Sequence, residues 1–199
     1  MSPTPEVLDA GAILRLMESV EGWFSWQEGA LLLDTANQAL AECKSRIIVE
    51  IGSYCGRSTV VLGKAVRAAP AGGRVYAIDP HLGNVTSGRS VASCGSTLDR
   101  FLSNLQRANV RENVEVLVNY SSEVAWDKPI GLLFIDGLHD FQSVSQDYRK
   151  FSAFVERGGY IAFHDSDMPG VSRVISQAVR SGAVSVIYSS GNLTVTRKE

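Results

Sequence analysis

The 199-residue chain is short of the features that mark several protein classes. It has three cysteines and three histidines. Cys43, Cys55 and Cys94 lack the close paired spacing of a zinc site or a redox motif, and so few thiols fit a reduced, cytoplasmic protein. No stretch approaches the roughly 20 apolar residues that span a bilayer; the longest charge-free run, Ser181 to Thr196, is broken by Ser, Gly and Asn. There is no basic excess, with 19 Lys and Arg against 21 Asp and Glu and a formal charge of -2. Lys44, Arg46, Arg57, Lys64, Arg67 and Arg74 are spread singly, without the basic stripe that nucleic acid requires. The opening Met-Ser-Pro-Thr-Pro-Glu has neither a basic n-region nor an apolar h-region, so no signal peptide is expected. Repeats, low-complexity tracts and linkers are absent. What remains is a chain 45% hydrophobic, of a length that makes one core, so a single domain over 1–199 is expected.

What the chain does have is alternation. Short apolar runs at Ile47 to Ile51, Arg74 to Asp79, Val114 to Val118, Ile130 to Asp136 and Tyr160 to Asp165 suit strands buried on both faces. Helical stretches at Ser58 to Ala69, Thr97 to Ala108 and Phe141 to Val155 separate them, the last carrying Val144, Tyr148, Phe151 and Val155 at helical spacing. Val184 to Tyr188 and Leu193 to Thr196 flank a hairpin signal, and residues 4–20 and 25–42 read as two helices ahead of the first strand. The expected fold is α/β: a Rossmann-like, mostly parallel seven-stranded sheet with a C-terminal antiparallel hairpin and helices on both faces. Residues 1–42 form its N-terminal helices and 43–199 its core.

In open parallel sheets, ligands bind beyond the C-terminal ends of the strands. The residues that follow each run are Glu50-Ile51-Gly52-Ser53-Tyr54-Cys55-Gly56-Arg57-Ser58, then Asp79-Pro80-His81, Ser121-Ser122-Glu123, Asp136-Gly137-Leu138-His139-Asp140 and His164-Asp165-Ser166-Asp167. All three histidines fall on this one edge. Gly52-x-x-x-Gly56 lets the backbone turn sharply, and the helix start that follows offers free N–H groups to an anion. The spacing is neither a nicotinamide-binding G-x-G-x-x-G nor a phosphate-cradling loop. Asp79 closes the next strand, where a carboxylate can accept two hydrogen bonds from a ribose diol.

Val49 to Ser58 closely resembles the first motif of class I S-adenosylmethionine-dependent methyltransferases, especially the catechol O-methyltransferase type. Ile135-Asp136-Gly137-Leu138-His139, Arg157-Gly158-Gly159 and His164-Asp165 look like those of bacterial metal-dependent O-methyltransferases acting on sugars and macrolide glycosides. The resemblance spans about residues 22 to 175. It implies that Glu50, Gly52, Ser53 and Tyr54 line the cofactor pocket, with Ser58 on the methionine carboxylate, Asp79 on the ribose and Ser122 at the adenine edge. It also implies that Asp136 faces the cofactor and, with His164 and Asp165, ligates a divalent metal, Mg2+ or Mn2+. His139 falls where the glycoside enzymes carry a catalytic histidine, and is expected to take the acceptor's proton.

This sequence departs from the family pattern in two places. The metal pair is His164-Asp165, whereas the family has acidic–acidic or acidic–amide pairs. Imidazole suits manganese, iron, cobalt or zinc better than magnesium, and Asp167 is a spare carboxylate. The segment Leu82 to Cys94, rich in Gly and Ser, is expected to form a mobile lid over the acceptor. Trp23-Phe24-Ser25-Trp26 reads either as a staple packing the two first helices or as an acceptor wall or subunit contact, which leaves a homodimer open. The expected activity is metal-assisted O-methylation of a small-molecule hydroxyl, a sugar or saccharide first, with no nucleic-acid or membrane partner. The alternatives are a phenol or catechol acceptor, or a metal-dependent hydrolase or hydroxylase on the same scaffold.

Overall fold

The computed structural model describes residues 9–83 and 96–199. Two helices, α1 (Ala10–Glu18) and α2 (Trp26–Glu42), precede the sheet. Then come β1 (Ile47–Ile51), α3 (Arg57–Ala68), β2 (Arg74–Ile78), α4 (Leu98–Arg107), β3 (Val114–Leu117), β4 (Ile130–Ile135), α5 (Phe141–Ser152), β5 (Val155–Phe163), α6 (Pro169–Arg180), β6 (Val184–Ser190) and β7 (Leu193–Lys198). The strands form one sheet in the order β3-β2-β1-β4-β5-β7-β6. Pairing is parallel from β3 through β5, and β7 is antiparallel to both β5 and β6. This is the expected architecture. The expected lid lies outside the described residues except for Leu82 and Gly83.

Successive strand residues point to opposite faces, and the burial follows that period. Ile48, Val75, Leu132, Phe134, Tyr160 and Ala162 pack with residues of α1, α2, α3 and α4. Val49, Ile51, Leu133, Ile135, Ile161 and Phe163 pack with α5 and α6. Burial on both faces explains why the strands carry unbroken apolar runs. Two boundaries differ from the sequence reading. Val155 opens β5 instead of closing α5: it pairs with Ile130, and a register shift over the next four residues brings Tyr160 opposite Leu132. The helix α6 was not anticipated; Val171, Val174, Ile175 and Ala178 are its buried stripe.

The register places the functional edge. Ile51 lies opposite both Ile78 and Ile135, Ile78 opposite Leu117, and Ile135 opposite Phe163. Gly52, Asp79, Asp136 and His164 therefore leave the sheet in one row. Among the described residues, no helix is long and apolar enough to cross a membrane.

Candidate functional site

The turn after β1 is built around close approach. Gly52 has φ +89°, and a Cβ there would lie 2.0 Å from the Asp136 carbonyl oxygen. Its own N–H donates to Ile78 O, while Asp136 N–H donates to Ile51 O at 2.8 Å. Tyr54, at φ 45°, and Gly56, at φ 89°, complete the turn in left-handed backbone, which strains Tyr54 and suits glycine. Tyr54 N–H donates to Asp79 Oδ2 at 2.8 Å, and His81 N–H to Asp79 Oδ1 at 2.6 Å. Asp79 thus clasps the first two strand ends together, and each oxygen keeps a lone pair. Ser53 is buried, with a hydroxyl that has no well-formed hydrogen bond.

The expected cofactor contacts Glu50 and Ser58 are placed differently. Glu50 shares the strand face of Ile48, so it points at α3. It is fully buried and accepts from Ser58 Oγ and Thr59 Oγ1, both at 2.5 Å. Glu50 therefore backs the turn instead of lining a pocket, and Ser58 spends its hydroxyl on Glu50 instead of on an anion. Ser122 is exposed in the turn after β3, where its carbonyl accepts from Lys150.

Burial pushes the Glu50 carboxyl up to about 7 from 4.5, against the hydroxyl bonds that lower it. Between those pH values the native state holds a proton that the unfolded chain has lost. This contribution to stability is full below pH 4.5 and is lost as pH rises through about 7. The shift corresponds to about 3 kcal/mol. Glu50→Gln, which like the protonated acid is uncharged and sets a donor group beside an acceptor oxygen, is expected to flatten this decline. Urea unfolding of both proteins at pH 5 and pH 8 checks it, and parallel pH profiles would contradict a raised Glu50.

Beyond β4 and β5 lies a charged cluster. His164 Nδ1 is 2.9 Å from Asp136 Oδ1 and 3.5 Å from Asp165 Oδ2. His139 Nε2 is 3.0 Å from Asp165 Oδ2 and 4.0 Å from Asp136 Oδ1. Asp136, His139 and Asp165 each offer a ligand atom within 4.8 Å of the others. The structure thus brings His139 into the converging set, where the sequence reading had His164 as the third ligand. His164 lies deeper, its side chain only 6% exposed. Asp167 is exposed and outside the set. Asp165 has φ 50°, a strained conformation for a non-glycine residue, of the kind that clusters at functional sites.

The charges hold one another. Burial raises the Asp136 carboxyl, opposed by its hydrogen bond to His164. Burial alone lowers the His164 imidazole, but hydrogen bonds to Asp136 and Asp165 outweigh it and push it up to about 11. The His164 hydrogen bond lowers Asp165. The third histidine is apart from this cluster. His81 is buried, with Nδ1 2.8 Å from Thr97 Oγ1 and its ring 4.8 Å from that of Phe101.

The aromatic cluster splits by burial. Phe24 is buried, with its ring 5.0 Å from His164 and 5.8 Å from Phe134. Ser25 caps α2, and Arg57 holds the α1–α2 linker by donating to Phe24 O and Val20 O. Trp23 is 70% exposed, its ring 5.3 Å from that of Tyr54. It therefore stands at the rim of the glycine turn. Glu28 escaped the sequence reading altogether, although Ser25-x-x-Glu28 has the spacing of a capping box. That spacing places Glu28 at a helix start and gives no sign that His164 lies beside it.

The sheet order, the antiparallel hairpin and the glycine turn after β1 together define a class I methyltransferase fold. A family model described as a methyltransferase domain matches residues 49–166, more than half of the chain. The chain belongs to that family. Solved structures agree in fold. The O-methyltransferase NovP aligns with TM-score 0.74 and 14% identity, covering 96% of this chain and 99% of that one. The O-methyltransferase from Bacillus cereus, solved with SAH, gives 0.66 and 19% over 100% and 94%. TomG from Streptomyces achromogenes, an O-methyltransferase involved in tomaymycin synthesis and solved with SAM, gives 0.62 and 19% over 99% and 92%. A 55-residue stretch is 36% identical to an uncharacterized protein of Acanthamoeba polyphaga mimivirus, covering 24% of this chain and about a quarter (25%) of that protein.

Proposed function

We propose that the protein is an S-adenosylmethionine-dependent, divalent-cation-assisted O-methyltransferase acting on a hydroxyl of a small molecule, a sugar or saccharide first. One observation carries the reading: the glycine turn and the charged cluster adjoin, with Gly52 packed directly against the backbone of Asp136. A metal-dependent hydrolase would use the cluster but leave the turn and its Asp79 clasp without a task.

The donor chemistry fits both groups. The turn backbone from Gly52 to Gly56, the Ser53 hydroxyl and the remaining lone pairs of Asp79 would hold S-adenosylmethionine, which when bound supplies a methyl group on a positively charged sulfur. Asp136 and Asp165, beside the cluster histidines, would hold the divalent cation, which when bound supplies a Lewis acid for neighbouring acceptor oxygens. An imidazole beside two carboxylates favours Mn2+, iron, cobalt or zinc over Mg2+. His139 is the more exposed of the two cluster histidines and is the base: its Nε2 takes the acceptor's proton. Asp165 Oδ2, 3.0 Å from that nitrogen, stabilises the imidazolium that forms. Trp23 offers a flat apolar face to a sugar or phenol ring. The slightly acidic balance and scattered basic residues support a small acceptor over nucleic acid or a membrane surface, and the few cysteines support a reducing, cytoplasmic setting. The test is binding of S-adenosylhomocysteine and Mn2+. Both bind on this reading, and failure of the nucleoside to bind removes it.

A further inference from the structure

Arg57 is the first residue of α3, where the helix N-terminus disfavours a cation, and no acidic side chain stands in that first turn to offset it. Its guanidinium does not serve the helix. It crosses to the linker between α1 and α2, where Nε donates to Phe24 O at 2.7 Å and Nη1 to Val20 O at 2.9 Å. Gly22 leaves room for it, since a Cβ there would lie 3.0 Å from Arg57 Cδ. One side chain thus fixes both ends of the span 20–24, which carries Glu21 and Trp23. Those two residues meet Tyr54. Its hydroxyl donates to Glu21 Oε1 at 2.8 Å, and its ring lies 5.3 Å from that of Trp23. Arg100 of α4 donates to the other oxygen of Glu21. Tyr54 is the strained residue of the glycine turn, at φ 45°. Asp79 holds its N–H, and the linker holds its hydroxyl and ring.

We propose that Arg57 is a positioning residue for the cofactor: by fixing the linker it keeps Tyr54 in its left-handed conformation, and the turn in its binding shape, before the cofactor arrives. This rests on the S-adenosylmethionine reading of the turn. A non-glycine residue in left-handed backbone persists only where its surroundings over-determine it. Here the contacts close a ring. It runs from Tyr54 to Glu21 and Trp23, along the linker to Val20 and Phe24, through the Arg57 guanidinium and back along the turn to Tyr54. A turn that holds its shape only part of the time binds in proportion to that fraction. The guanidinium suits the task, because its fork reaches two carbonyls at a fixed spacing, whereas an ammonium presents one nitrogen.

Two measurements test it. The first is S-adenosylhomocysteine affinity by titration calorimetry. Arg57→Lys keeps the charge and loses the fork; Arg57→Met loses both. Both are expected to bind about 10-fold more weakly than the wild type, and to the same extent. Tyr54→Phe, which removes the hydroxyl bond to Glu21, is expected to lose about threefold. The double variant Tyr54→Phe with Arg57→Lys is expected to bind no more weakly than Arg57→Lys alone, because both changes act through one linker, whereas a helix start weakened in general would give additive losses. Wild-type affinity in Arg57→Lys with a loss in Arg57→Met would make Arg57 a charge contact to the ligand. That result overturns the proposal, as do additive losses or unchanged affinity in both variants, and each leaves the cofactor reading in place. The second measurement begins with the wild type: its Tyr54 amide is expected to exchange slowly with solvent without ligand, and to lose that protection in Arg57→Lys. Fast exchange in the wild type that slows only with S-adenosylhomocysteine also overturns the proposal. A wild type that binds no S-adenosylhomocysteine removes the cofactor reading and the proposal together.

Discussion

Replacing Asp136 by Asn is expected to lower methyl transfer by about 10³-fold, or about 4 kcal/mol of barrier, and to remove its stimulation by Mn2+. Asp136 stands where the two halves of the site meet. Its backbone supports the glycine turn through the Ile51 hydrogen bond, and its carboxylate lies within reach of His164 and His139. Asn preserves the backbone and the volume, so the cofactor turn survives. It removes the charge that would hold a cation and leaves His164 with Asp165 and Glu28 as its acidic neighbours. The split is therefore sharp: S-adenosylhomocysteine affinity within a few-fold of wild type, and Mn2+ affinity and turnover lost together. Initial rates with saturating donor, with and without Mn2+, measure it. A variant that keeps its rate and its metal response would show that the cluster does not serve catalysis.

Replacing His139 by Ala is expected to cost about 10²- to 10⁴-fold in turnover, the range for losing a positioned general base. His139 Nε2 lies 3.0 Å from Asp165 Oδ2 and is buried without a hydrogen bond, while the side chain as a whole is 21% exposed, so an acceptor reaches that nitrogen only once the ring turns. The same nitrogen also converges with Asp136 and Asp165, as a ligand would. The variant separates the two roles. As the base, His139 can be removed with Mn2+ affinity retained, and the lost rate returns in part at higher pH as the acceptor ionises unaided. As a ligand, its removal lowers Mn2+ affinity along with the rate. The account predicts the first pattern.

How much of this could be read from the sequence follows from the range of each interaction. The runs Ile47–Ile51 and Ile130–Ile135 were legible because strands buried on both faces need no polar alternation. Asp136 and His139 were legible because both follow one strand, three residues apart. The helix α6 has a buried stripe and a proline at its start, but that weak signal lies between two stronger strand signals. Glu50 was assigned to the cofactor pocket by family pattern, but strand alternation turns it toward Ser58 and Thr59 on α3. The coupling of Glu28 to His164 and Asn192 could not be read at all, because it joins the start of α2, the end of β5 and the hairpin, which meet only in the folded chain.

The most direct test of the central claim is the melting temperature with S-adenosylhomocysteine, taken with Mn2+ and again with EDTA. At about 100 times Kd, a ligand that binds only the folded chain stabilises it by about 2.7 kcal/mol. For a chain this size the account predicts a rise of about 5–10 °C with the nucleoside and a further rise with Mn2+ that EDTA reverses. A rise with Mn2+ alone and none with the nucleoside would contradict the methyltransferase reading and leave a metal site serving other chemistry.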